Sequence, residues 1–112
     1  MASILCVSYD ESLLKQLELL LDCMGHRVVS AHGFTAALKE CATGDFDLFI
    51  LGDSIPPAHK EALMGAFRSR CPAPVMVLRG ANEREARGAD YETDAEPQNV
   101  IEVVARITSI NR

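Results

Sequence analysis

The sequence predicts one doubly wound α/β domain, and three observations carry that reading. Short apolar or β-branched runs alternate with amphipathic helical stretches along the whole chain, giving five strands. Each crossover between them is long enough for a right-handed βαβ unit. The run Leu48-Phe49-Ile50-Leu51, bounded by Gly44 and Asp45 before and by Gly52 and Asp53 after, has no polar residue in it, the mark of a strand buried on both faces. Such a strand lies centrally in a parallel sheet, and chemistry gathers in the crevice beyond its carboxyl end. What stands at Gly52 and Asp53 therefore decides the functional reading.

The elements follow in order. Ile4 to Val7 forms a buried first strand that ends in Ser8-Tyr9-Asp10, and Asp10 is a good N-cap for the helix that follows. From Glu11 to Met24, residues Leu13, Leu14, Leu17, Leu20, Leu21 and Met24 make one apolar stripe, with Glu11, Lys15, Gln16, Glu18 and Asp22 largely opposite. Gly25 stands where a C-terminal cap belongs. Arg27 to Ala31 is a partly polar second strand, as expected near a sheet edge, and His32-Gly33 turns the chain. A second helix places Phe34, Ala37, Leu38 and Cys41 at helical spacing before Gly44 stops it. After the central strand, Pro56-Pro57 can only precede or open a helix, whose inner face shows Leu63, Ala66 and Phe67. Pro72 and Pro74 end it before the fourth strand, Val75 to Leu78. The segment from Arg79 to Gly88 is polar and allows a turn or two of helix at most. Ala89 to Thr93 is a modest fifth strand. Pro97 opens a last helix with Val100, Val103, Val104 and Ile107 on one face, whose β-branched residues need the sheet to hold them.

Composition limits the function classes. The 112 residues suit one domain spanning 1–112, and 48% hydrophobic content supplies a core and argues against disorder. A net charge of −5 has the wrong sign for a nucleic-acid binder. No apolar run approaches the roughly 20 residues that cross a bilayer, and the amino terminus lacks the regions of a signal peptide, so a cytoplasmic protein is expected. Cys6, Cys23, Cys41 and Cys71 are far apart, without C-x-x-C spacing, and read as buried small hydrophobes in a reducing compartment. His26, His32 and His59 lack ligand spacing for zinc.

Taken together, Ile4 to Asp10, the leucine-rich helix running into Met24-Gly25-His26-Arg27-Val28-Val29, Phe46 to Leu51 with Pro56 beyond, Pro74 to Leu78, and Gly88-Ala89-Asp90 resemble the receiver (CheY-like) domains of bacterial two-component response regulators. The resemblance covers nearly the whole chain. It implies a flavodoxin-like three-layer fold with strand order 2-1-3-4-5, here with a shortened helix between the fourth and fifth strands. It also implies phosphorelay signalling. Receivers accept a phosphoryl group on an aspartate after the third strand and hold magnesium with two acids after the first. A Ser or Thr after the fourth strand and a Lys after the fifth bind the phosphoryl oxygens.

This chain departs at each of those places. The acceptor position falls on Gly52, and the metal-binding positions fall on Ser8 and Tyr9, with only Asp10 retained beside them. Arg79 occupies the Ser/Thr position, and no lysine stands near Asp94. The resemblance therefore implies a pseudo-receiver: no enzyme, no cofactor, magnesium binding lost or weak, and a role as a protein-interaction module. Its expected partners are other signalling proteins such as a histidine kinase or an output protein, with no nucleic acid and no membrane. Dimerisation through a helix face is compatible with the fold.

Several alternatives stay open at the level of sequence. Asp53 neighbours the acceptor position and is the one substitute phosphoacceptor, although a one-residue shift on a strand reverses side-chain direction; otherwise it is a loop aspartate or a helix cap. Arg79 either bridges Asp10 and Asp53 in place of the metal or is an exposed loop arginine. Tyr9 fills space above the old metal site with its hydroxyl toward water, or serves in recognition. The stretch from Glu83 to Glu96, six acids against Arg84 and Arg87, is a solvated face or a docking surface for a basic partner. A small flavodoxin-like enzyme or ligand binder would need a phosphate loop after the first strand, and Ser8-Tyr9-Asp10-Glu11-Ser12 is not one. No output domain follows the receiver-like part, so the protein either acts by contact or is one piece of a larger chain.

Overall fold

The computed structural model describes residues 2–52, 55–70, 73–79, 90–94 and 96–110. Its elements are β1 (Ser3–Ser8), α1 (Glu11–Cys23), β2 (Arg27–His32), α2 (Phe34–Thr43), β3 (Leu48–Leu51), α3 (Pro57–Arg70), β4 (Val75–Arg79), β5 (Tyr91–Asp94) and α4 (Pro97–Ile110). The five strands form one parallel sheet in the order β2-β1-β3-β4-β5. The doubly wound reading and the implied strand order are both what the molecule adopts. The segment expected to hold a shortened helix, and the start of the fifth strand at Ala89, lie outside the described residues.

Strand alternation sorts the core into two halves. Leu5, Val7, Phe49, Leu51, Val75 and Val77 face α2 and α3, where they meet Ala37, Cys41, Leu63 and Phe67. Ile4, Cys6, Leu48, Ile50, Met76 and Leu78 face α1 and α4, against Leu14, Leu17, Leu21, Val100 and Val104. Phe49 and Phe67 stack with ring centroids 4.2 Å apart, tying the central strand to α3.

The helix ends form as the sequence dictates. Asp10 Oδ1 accepts hydrogen bonds from the Ser12 and Leu13 amides at 2.9 and 3.4 Å, satisfying two of the orphan donors of α1. At the other end Gly25 takes φ +86°, and the His26 amide reaches back to the Leu21 carbonyl at 3.2 Å. Pro57 opens α3, where its missing N–H costs nothing.

One cysteine differs from expectation, and two side chains on which the sequence made no reading stand out. Cys6 and Cys41 are buried, but Cys23 is exposed, because the last turn of α1 carries it past the edge of the sheet-facing stripe; Cys71 lies outside the described residues. Lys60, unremarked in the sequence, is only 3% exposed, since it falls on the same helical stripe as Leu63, Met64 and Phe67. Leu19 is the reverse case, a leucine on the solvent side of α1 at 69% exposed. Among the described residues no helix is long and apolar enough to cross a membrane.

Candidate functional site

In the order 2-1-3-4-5 the winding direction across the sheet reverses between β1 and β3, so the crevice of the fold opens beyond Ser8, which ends β1, and Gly52, which follows β3. The Gly52 amide donates to the Val7 carbonyl at 2.8 Å, which draws the two strand ends together. Gly52 is buried, and the space beside it is taken. A Cβ built on it would stand 2.9 Å from Ser8 Oγ, 3.0 Å from Ser8 Cβ and 3.1 Å from Leu13 Cδ2. Ser8 cannot easily yield, because it is wholly buried and its Oγ accepts the Asp10 amide at 2.9 Å. A glycine is therefore what this close approach requires.

Tyr9 leaves the crevice in the other direction. It packs half-buried against the α2/α3 side of the core, and burial raises its phenol above the usual range. Its hydroxyl was expected to point to water; instead it shares a 2.7 Å hydrogen bond with His59 Nδ1 at the start of α3. The His59 ring also lies 5.2 Å from Phe34, and His32 Nε2 donates to the Tyr9 carbonyl at 3.2 Å. Tyr9 thus joins β1 to the first turns of α2 and α3. Sequence reasoning missed this cluster because no local pattern links residues 9 and 59. Lys60 could have been found, since positions 60, 63, 64 and 67 share one helical face.

The other rim positions hold charged residues in structural roles. Arg79 Nε lies 3.5 Å from Glu92 Oε2, with side-chain exposures of 37% and 19%. Glu92 pairs in register with Val77, two residues before Arg79, so both side chains project from the same face of the sheet. Arg79 Nε itself is buried without a hydrogen bond. The proposed bridge from Arg79 to Asp10 is not formed: β3 lies between their strands, Asp10 caps α1, and Arg79 turns to Glu92. The Asp53 half of that bridge, and Asp53 as a substitute acceptor, lie outside the described residues. Asp94 accepts hydrogen bonds from Asn99 Nδ2 at 2.9 Å and the Glu96 amide at 3.1 Å, and these two bonds hold its carboxyl below the usual range. Asp94 thus ends β5 as an acid held by the first residues leading into and within α4.

These donors do not fit magnesium, which favours carboxylate and water oxygens in near-octahedral array. Ser8 Oγ is engaged by a backbone amide, the Tyr9 hydroxyl lies with His59, and Asp10 caps α1. Among the described residues no three His, Cys, Asp or Glu side chains gather that could hold a metal ion.

The whole fold has close relatives in shape. It superposes on the receiver domain of a Francisella response regulator with a TM-score of 0.84 at 16% identity, over 100% of both chains. The response regulator TrrA from Thermotoga maritima, solved in complex with magnesium and beryllofluoride, gives 0.80 at 23% identity, covering 96% of this chain and 99% of that one. This chain has the receiver fold. The chemotaxis protein CheY4 of Vibrio cholerae matches at 0.75 and 19% identity, covering 96% of this chain and 98% of that one. No protein-family model matches the sequence, and neither does any curated protein. The receiver fold is thus adopted here by a sequence only 16–23% identical to these three neighbours.

Proposed function

We propose that this protein is an atypical receiver-fold signalling domain that works by protein contact, without aspartyl phosphate. The observation that carries the reading is the acceptor position, where buried Gly52 packs so close to Ser8 that no side chain fits between them. Phosphoryl transfer depends on positioning plus neutralisation of oxygen charge by a metal and fixed cations. The surrounding residues supply little of either. Ser8 is tied to a backbone amide, Arg79 lies beside Glu92, and Asp94 is an anion at the rim. On this reading the chain is not an enzyme, and its partners are other signalling proteins, such as a sensor kinase or an output protein, that recognise its surface.

The test is incubation of the purified chain with acetyl phosphate or phosphoramidate and magnesium, followed by intact mass measurement. TrrA of Thermotoga maritima, which binds magnesium and beryllofluoride, is the positive control. The expected result is an unchanged mass for this chain beside a phosphorylated control. A stoichiometric phosphoryl adduct mapping to Asp53 would replace this reading with that of a working receiver using a displaced acceptor.

A further inference from the structure

Between α1 and α4 lies a largely apolar cleft of ≈ 350 Å³ walled by Leu13, Gln16, Leu17, Leu20 and Cys23 of α1 and by Pro97 and Val100 of α4. Leu19 stands at its rim and is the one large hydrophobic side chain exposed among the described residues. Core packing accounts for Leu13, Leu14, Leu17 and Leu21 but not for Leu19, which at 100° per residue lies nearly opposite Leu14 and Leu21. A projecting leucine beside an apolar cleft is self-complementary, as an isologous two-fold interface requires.

The charges beside Leu19 point to the same occupant. Lys15 and Asp22 lie on the flank of Leu19 away from α4, one before it and one after it along α1. They are seven residues apart, about 10 Å along the helix, too far to pair within one chain. Neither forms an ion pair among the described residues. Glu18, farther round, is turned to Ser30 Oγ at 3.4 Å. When two copies of α1 are set antiparallel about a two-fold axis at Leu19, Lys15 of each copy meets Asp22 of the other, twice.

We infer that this face binds a second copy of the chain, α1 against α1, with each Leu19 at the mouth of the other copy's cleft. The inference gives the protein-contact reading a surface, and its failure would leave the crevice argument untouched, since the two are measured separately. Sedimentation equilibrium of the full chain from about 1 μM to about 1 mM should show a reversible monomer–dimer equilibrium. Leu19→Glu, at an exposed site that leaves the melting curve unchanged, should weaken the dimer at least about tenfold. Lys15→Asp and Asp22→Lys should each weaken it, and the double reversal Lys15→Asp with Asp22→Lys should restore it to within about threefold of the original. A wild-type chain that stays monomeric throughout, leaving the cleft to another kind of partner, overturns the inference. So does a dimer indifferent to Leu19→Glu and to the charge reversals.

Discussion

At the scale of single residues, Gly52 holds most of the functional argument. Ser8 and Leu13 crowd the place where a side chain at Gly52 would start, with Ser8 Oγ 2.9 Å and Leu13 Cδ2 3.1 Å from a Cβ built there. Gly52→Ala is therefore expected to destabilise the fold by about 1–3 kcal/mol through overpacking, and Gly52→Asp by more. Denaturant melts of Gly52→Ala, Ser8→Gly and the double variant check the cause. The double variant should lose less than the sum of the singles, because removing the Ser8 side chain makes room for the new methyl; strict additivity would place the strain elsewhere. That Gly52 has no side chain was legible in the sequence. That Ser8 and Leu13 pack so close to it was not, because the contact joins Gly52 to residues 8 and 13, which are far from it in the chain. The same limit hid the Tyr9–His59 bond. It also left the Arg79 bridge as an open alternative that Glu92, on the adjacent strand, resolves for Asp10.

At the scale of elements the sequence was far more informative, because caps and periodicity are local signals. Asp10 and Gly25 bound α1 where their chemistry says they should, and the central strand runs from Leu48 to Leu51 as its unbroken apolar run requires. Asp10→Ala should cost about 1 kcal/mol, the usual worth of an N-cap, since Asp10 Oδ1 serves two amides. Asp10→Ser should recover most of that in the same melt, which separates capping from any role of the negative charge. The foot of β1 offers a second, pH-dependent test. His26 Nδ1 accepts the Ala2 amide at 3.2 Å, and burial, then the positive amino terminus, lowers the His26 pKa below its ordinary 6.5. The unfolded chain therefore binds the His26 proton first as pH falls, so this contribution is complete above about pH 6.5 and declines as pH drops through the folded value. Melting temperatures from pH 7.5 down to 5 should fall less steeply in His26→Ala than in the wild type. Parallel slopes would remove His26 from the account.

At the scale of the whole molecule, the question is whether anything bound at the crevice can still act on the rest of the fold. In a switchable domain a ligand must favour one state over another, and its effect is bounded by that difference in affinity. Here the strand ends that would bracket such a ligand are joined by the Gly52 amide to the Val7 carbonyl, with Ser8 between them and Leu13 above. The doubly wound class was legible from the alternation of strands and helices and the strand order from the resemblance to receivers, whereas the packing and capping roles of the crevice residues were not. Magnesium with beryllofluoride gives a direct measure of what is left. A ligand present at 100 times its Kd stabilises the native state by about 2.7 kcal/mol, which for a domain of this size shifts the melting temperature by about 10 °C. This chain should melt within about 1 °C of the same temperature with and without the two together, and a receiver that binds them, measured alongside, should shift clearly. A shift in this chain, abolished by Asp53→Asn but kept in Asp10→Ser, would show that the loop after β3 still binds the phosphoryl mimic and that the closed packing around Gly52 opens to admit it.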